Sequence, residues 1–108
     1  MENKKLIDTR LSLNLNSVKI ARGETLEHAL AKFLLSYEAI QNGHKIITEC
    51  KFNNGKQADI FIMSIPGGIA WEIMASETNK MLETKEYPCP IISFKAKEVI
   101  RMNLKVFK

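Results

Sequence analysis

Cysteine is one of the residues that this chain of 108 residues has little of. Only Cys50 and Cys89 are present, far apart in the chain and without a second cysteine or a histidine at metal-ligand spacing. This excludes a disulfide-dense scaffold and a zinc site recognisable from sequence. Both cysteines have apolar neighbours, which predicts buried thiols in a reducing compartment, the cytoplasm.

Long apolar runs are also missing. The longest stretch without charge, 60–71, is interrupted by serine, proline and two glycines, whereas a helix that spans a bilayer needs about 20 apolar residues. The N-terminus carries charges of both signs and no apolar segment. We therefore expect neither a membrane helix nor a signal peptide.

Glycine and proline are too few, at 5 and 3 residues, for a fibrous or low-complexity chain, and a hydrophobic fraction of 45% is too high for disorder. The length suits a single domain, 1–108, in which 1–10 forms a loose lead-in. A net charge of +4 is compatible with a polyanionic partner, although unclustered charge of this size is common in unrelated small domains.

The periodicity of apolar residues predicts the order of the elements. Alternating leucines indicate a short strand at 11–16. Apolar residues at helical spacing, a possible cap at Gly23 or Thr25 and the Asn42-Gly43 pair predict a helix over 24–42. β-Branched runs and turn clusters then predict strands at 44–52, 56–63 and 69–75, a helix at 77–86, a strand at 90–94 and a short helix at 95–103.

This order predicts an α/β fold with a central mixed sheet flanked by helices. Three strands joined by tight turns form an antiparallel meander. The helix at 77–86 is then a crossover, so the last strand lies parallel to the third. The helix over 24–42 covers one face of the sheet and the crossover helix covers the other.

Acidic residues occur where the pattern otherwise predicts burial. Glu49, Asp59 and Glu72 each lie in a strand, and an unpaired buried carboxylate costs several kcal/mol. If a four-residue turn pairs 64 with 69, Asp59 lies opposite Met74 and diagonal to Glu72, on one face.

The helix adds a fourth candidate acid. At 100° per residue Glu27 borders the apolar stripe, whereas Glu24 and His28 fall on the side predicted to face solvent. Each acid alone is also explained as a flanking charge, an edge residue or an ion-pair partner of a lysine. Together, however, Glu27, Glu49, Asp59 and Glu72 predict an oxygen-only site for Mg²⁺ or Mn²⁺.

The helix with Glu27, the segment Ala58-Asp59-Ile60 and the segment Trp71-Glu72-Ile73-Met74 resemble the PD-(D/E)XK nuclease superfamily, the restriction-endonuclease-like fold that includes archaeal Holliday-junction resolvases. The resemblance covers about 23–94 and implies an αβββαβ core. It also implies that Glu27, Asp59 and Glu72 hold the catalytic metal, and we expect Glu49 to assist them. The motif lysine, which steadies the attacking hydroxide, is replaced by Met74.

The missing lysine leaves two alternatives. Another lysine reaches the site, with Lys51 the first choice because it shares a strand face with Glu49, and Lys56 and Lys80 near element ends. Otherwise the site is degenerate and the domain only binds. Further basic residues suited to phosphate contacts follow the last strand: Lys95, Lys97 and Arg101.

We therefore expect a metal-dependent nuclease that cleaves DNA phosphodiester bonds, with Asp59, Glu72 and Lys51 as its catalytic residues. The alternative is a catalytically silent module of the same fold that binds nucleic acid or a protein partner. We expect a homodimer, because two copies supply two sites for two strands. No membrane or small-molecule cofactor is expected.

Overall fold

A computed structural model describes residues 6–7, 15–75 and 86–104 of the chain. The elements follow in the order α1 (Leu26–Gln41), β1 (Ile46–Lys51), β2 (Gln57–Ile62), β3 (Ile69–Met74), β4 (Ile91–Lys95) and α2 (Ala96–Leu104). Their bounds lie within two residues of the predicted ones. The molecule is therefore a mixed α/β protein.

Helix α1 has the capping residues that its sequence predicts. The Thr25 side chain accepts a hydrogen bond from the amide of His28 (3.1 Å) at the N-terminus. At the other end, Asn42 is the C-cap, and Gly43 follows with a φ of 85° that glycine adopts without strain.

The four strands form one sheet in the order β1-β2-β3-β4. β1 pairs antiparallel with β2, and β2 pairs antiparallel with β3. β4 lies parallel to β3. The predicted antiparallel meander with a parallel fourth strand is therefore confirmed.

Each face of the sheet carries its own apolar cluster. The first cluster joins α1 and α2 to the sheet and includes Leu35, Ile46, Ile60, Ile73 and Val99. The second lies on the opposite face and includes Ile7, Ile47, Phe52, Phe61 and Ala70. Ile7 is 2% exposed and forms an isolated bridge with Phe52. The prediction of a loose lead-in over 1–10 is therefore wrong for this residue.

Helix α1 buries a different stripe from the one that its periodicity indicates. Leu26, Phe33 and Tyr37 are 83%, 51% and 53% exposed. The side chains toward the sheet include Lys32 and Ser36, both fully buried. The helix is apolar around most of its circumference, so spacing alone does not select the buried face.

The register between β2 and β3 differs by two residues from the predicted one. Ile62 pairs with Ile69, and Ile60 with Trp71, so the connection is longer than four residues. Just after β2, the Met63 amide donates a hydrogen bond to Lys45 O (2.8 Å), the residue before β1. Continued by one pair, this register sets Asp59 opposite Glu72 rather than opposite Met74.

Some predicted features fall outside the described residues. Residues 11–14 of the first predicted strand and 76–85, which include Lys80 and almost all of the predicted crossover helix, lie there. Leu15 and Asn16 form a turn rather than a strand end. Within the described residues, no helix has the length and apolar character needed to cross a membrane.

Two adjacent glycines before β3 allow a matched test of packing. A Cβ at Gly68 would lie 2.4 Å from the Phe61 ring, whereas a Cβ at Gly67 meets nothing within 4 Å, and both residues have positive φ. Gly67→Ala should cost about 1–2 kcal/mol of unfolding free energy from backbone strain alone. Gly68→Ala should cost about 1–3 kcal/mol more, because the Phe61 ring is buried and cannot move aside. Urea unfolding measures the difference, and equal losses would contradict the described packing.

Candidate active site

Side-chain alternation is interrupted at the same level in β1 and β2. Ile47 and Cys50 both belong to the second cluster although they are three residues apart, and so do Ala58 and Phe61. In β1 the interruption is at Glu49, whose φ of 50° is left-handed. This backbone turn carries Glu49 to the α1 side of the sheet, where its carboxylate contacts the helix.

Helix α1 and the residue before its N-cap supply a row of polar residues facing these strands. Glu24, His28 and Lys32 follow at four-residue spacing, so they share one side of the helix. The prediction that Glu24 and His28 face solvent is wrong, because it takes the exposed apolar stripe for the buried one. Glu24 is 5% and His28 26% exposed at the side chain.

Lys32 lies at the centre of the row. Its side chain is fully buried, and its Nζ donates to Glu24 Oε1 at 2.9 Å and to Glu49 Oε1 at 3.0 Å. The other oxygen of Glu49 accepts from Gln57 Nε2 (3.0 Å). One ammonium group thus joins a carboxylate at the start of the helix to a carboxylate of the first strand.

The carboxyl of Glu24 has a lowered pKa. Burial by itself would raise this pKa, but hydrogen bonds from Lys32, His28 and the amide of Ala21, together with the charge of Lys32, outweigh it. Glu24 therefore remains a carboxylate below its ordinary titration range.

His28 connects the helix to β2. Its Nδ1 makes a close contact with Glu24 Oε2, and its Nε2 lies 3.5 Å from Asp59 Oδ2. The same Asp59 oxygen accepts a hydrogen bond from the amide of Ile73 at 2.8 Å. Asp59 therefore bridges α1 and β3, on the helix side of the sheet.

Glu72 takes its partner from the other side of the sheet. It is 4% exposed, and its Oε1 accepts a short hydrogen bond (2.5 Å) from the hydroxyl of Tyr87, which packs against the second cluster. Burial, this hydrogen bond and the charges of Glu72 and Asp59 raise the pKa of Tyr87. Asp59 and Glu72 are neighbours across β2 and β3, but their contacts lead to opposite faces.

We call the group formed by Glu24, His28, Lys32, Glu49 and Asp59 the charged notch. Beside it lies a cavity of about 330 Å³, which Glu27 lines together with Glu24, His28 and Glu49. The first residue of α2, Ala96, also lines it. Glu27 thus lines the cavity beside the notch.

The predicted lysines that the structure describes lie on several elements. Lys51 is at the end of β1, paired with Gln57, and Lys56 is exposed in the following turn. Lys95, Lys97 and Arg101 are exposed at the end of β4 and on α2. Lys32 is the site lysine that the sequence analysis does not name. Its four-residue spacing from His28 and its place beside the fully buried Ala31 are the signals that could have indicated it.

Carboxylate oxygens are the donors that a hard divalent ion prefers, and three carboxylates belong to the notch. Among residues 6–7, 15–75 and 86–104, however, no three histidine, cysteine, aspartate or glutamate side chains are arranged to hold a metal. Lys32 holds an oxygen of Glu24 and of Glu49. The notch thus contains three carboxylates against one ammonium group and one histidine ring.

Comparison of the chain with protein-family models, curated proteins and solved structures finds no match. A function must therefore be inferred from the notch and from the fold that positions it.

The lowered pKa of Glu24 makes a prediction about stability and pH. Glu24→Gln should lower the unfolding free energy at pH 7 by about 1–3 kcal/mol, the value of hydrogen bonds to a charged group. A lowered folded pKa stabilises the protein above the ordinary value of 4.5, and this stabilisation is lost as pH falls through the folded pKa. The difference in unfolding free energy between wild type and Glu24→Gln should therefore become smaller below pH 4.5. Chemical unfolding across pH measures it, with the exposed Glu38→Gln as control; a constant gap would contradict the assignment.

Proposed function

We propose that the chain is a metal-dependent nuclease that cleaves DNA phosphodiester bonds, with a PD-(D/E)XK-like αβββαβ core. Support from the fold is the antiparallel meander followed by a parallel fourth strand, with α1 packed on one face. Assembly as a homodimer and a cytoplasmic location remain predictions.

The observation that carries the proposal is the charged notch. Three carboxylates, a histidine and a lysine from α1, its N-terminal flank and two strands converge beside a cavity. Ionisable groups with shifted pKa values cluster at functional sites, where burial and neighbouring charges adjust them for chemistry. The proposed site is centred on Glu24, Glu49 and Asp59, with Glu27 at its rim and Glu72 behind the sheet.

Lys32 takes the role that the superfamily motif gives to the lysine at position 74. Met74 is apolar and 6% exposed. The ammonium of Lys32 lies within hydrogen-bond distance of two of the notch acids. We therefore propose Lys32 as the cation that stabilises developing negative charge.

The mechanism assigns a task to each side chain. Glu24, Glu49 and Asp59 would hold Mg²⁺ or Mn²⁺, which supplies an activated water and neutralises charge on the phosphate. Glu24 orients the ring of His28 through Nδ1, so that Nε2 points toward Asp59 and can hold a proton there. Lys32 would provide a positive charge for a non-bridging phosphate oxygen.

The start of α2 offers the surface for the DNA backbone. Lys97 and Arg101 are exposed and four residues apart on one helix, about 6 Å along its axis. Lys95 precedes them, and Ala96 lines the cavity. Phosphates contacted by these side chains would lead the strand past the notch.

A catalytically silent module that binds nucleic acid or a protein is the second candidate. The observation that favours it is that Lys32 already occupies two of the three carboxylates. In this case the basic surface of α2 would bind, and the notch would serve only as a structural ion pair.

Cleavage of supercoiled plasmid and branched DNA tests the proposal directly. Wild type should cut with Mg²⁺ or Mn²⁺ and not with chelator. Asp59→Asn should lose activity by about 100-fold or more, since it removes a charged group at the reacting centre. Glu38→Gln, an exposed carboxylate on the same helix, should cut like wild type. Absence of cleavage with retained DNA binding would select the silent module, and cleavage unchanged in Asp59→Asn would indicate a contaminant.

Salt dependence of DNA binding tests the proposed surface. The double variant Lys97→Gln/Arg101→Gln should reduce the slope of log affinity against log salt by about 2, because each phosphate contact contributes about 0.9. Lys45→Gln removes an exposed charge before β1, at the other end of that strand from Glu49, and should leave the slope unchanged. Equal effects of both changes would show that only net charge matters.

A further inference from the structure

The arrangement of oxygen atoms around Lys32 bears on how the notch takes up a metal. Glu24 Oε1 accepts from Lys32, and Glu24 Oε2 contacts His28. Glu49 Oε1 accepts from Lys32, and Glu49 Oε2 accepts from Gln57. All four oxygens of these two carboxylates thus have partners within the protein. Each oxygen keeps a further lone pair, so an ion that binds both carboxylates would lie beside these partners.

The partner that a cation would replace is Lys32, on electrostatic grounds. Its Nζ is the group bonded to both carboxylates, at 2.9 and 3.0 Å. Mg²⁺ binds oxygen at about 2.0–2.1 Å, so an ion between Glu24 and Glu49 would lie close to the ammonium. Two cations that close together in a buried site repel strongly.

In its buried position, the Lys32 ammonium is not solvated by water and depends on the two carboxylates. Its side chain is fully buried, so loss of the carboxylates would leave a charged group without compensation. The contact with Glu24 spans eight residues and the contact with Glu49 spans seventeen. The ammonium therefore holds helix and strand together in the absence of a metal.

We propose that Lys32 is the resident cation of the notch and competes with the divalent metal for Glu24 and Glu49. This inference rests on the proposed function of the notch and adds how its metal affinity is set. The wild-type site is assembled but weakly metal-binding, and the metal enters only as the Lys32 ammonium leaves the two carboxylates. The ammonium so released is the group available for the phosphate.

The test is binding of Mn²⁺ alone, followed by the loss of the free-ion signal in electron paramagnetic resonance. Lys32→Met keeps an unbranched side chain and removes the charge, so Mn²⁺ should bind at least about tenfold more tightly than to wild type. This expectation follows because one charge-assisted hydrogen bond corresponds to about a tenfold change in affinity. Lys32→Arg should bind as weakly as wild type.

Two controls separate competition from general charge. Lys45→Met also removes one positive charge, but from an exposed side chain, and should leave Mn²⁺ affinity unchanged. Lys32→Met/Glu24→Gln should lose the gain, because a ligand is missing. Equal tightening in Lys32→Met and Lys45→Met, or no tightening in Lys32→Met, would overturn the proposal. A purely structural role for Lys32 would weaken binding or leave it unchanged.

Lys32→Met leaves Glu24 and Glu49 without their shared cation, and this variant could fail to fold. Wild type therefore provides a second measurement. Millimolar Mn²⁺ should raise its midpoint of thermal unfolding by no more than about 2 °C, as expected when the ion barely exceeds its dissociation constant. A larger rise would show an open site and contradict competition. Metal-dependent DNA cleavage without tighter binding in Lys32→Met would overturn this inference and leave the nuclease intact. Tighter binding in Lys32→Met without cleavage by wild type would support the inference and overturn the nuclease.

Discussion

The buried ammonium group of Lys32 is the constraint on which the arrangement of this molecule depends. A cation with no exposure needs carboxylates on more than one side, and it finds them in Glu24 before the helix and in Glu49 on the first strand. This requirement fixes the rotation of α1 about its axis, because Lys32 must point inward. It also explains why the helix presents Phe33 and Tyr37 to solvent, where they stack with ring centroids 6.3 Å apart.

Most of the fold could be predicted from the sequence, since its determinants are local. β-Branched runs, turn clusters and helix caps determine the four strands and two helices, and chain order then determines the antiparallel and parallel pairings. The rotation of α1 could not be predicted, because Leu26, Phe33 and Tyr37 have the same spacing and apolar character as buried residues. The β2–β3 register also differs from the predicted one. The length of the turn depends on tertiary hydrogen bonds, such as that from the Met63 amide to Lys45 O, which local sequence does not reveal.

The site could be predicted in part. Glu49 and Asp59 stand out because a charge within an apolar strand requires a partner, and both lie in the notch. Glu24, His28 and Lys32 were missed, since their recognition requires the correct face of α1. Glu49 reaches the helix through a left-handed backbone, and nothing in a glutamate signals that conformation. The register predicted from a four-residue turn makes Glu72 a diagonal neighbour of Asp59 on one face of the sheet. Its hydrogen bond to Tyr87, in contrast, depends on a segment that is distant in sequence.

The start of α1 is held more firmly than the end of a helix usually is. Helix ends ordinarily fray first, since their first amides lack intrahelical partners. Here the Glu24 carboxylate accepts from the amide of Ala21, Thr25 caps His28, and Lys32 ties the second turn to β1. Opening this end would therefore expose a buried ammonium and two carboxylates at once. Amide hydrogen exchange in the first two turns is thereby linked to separation of the helix from the sheet, and reports on the integrity of the notch.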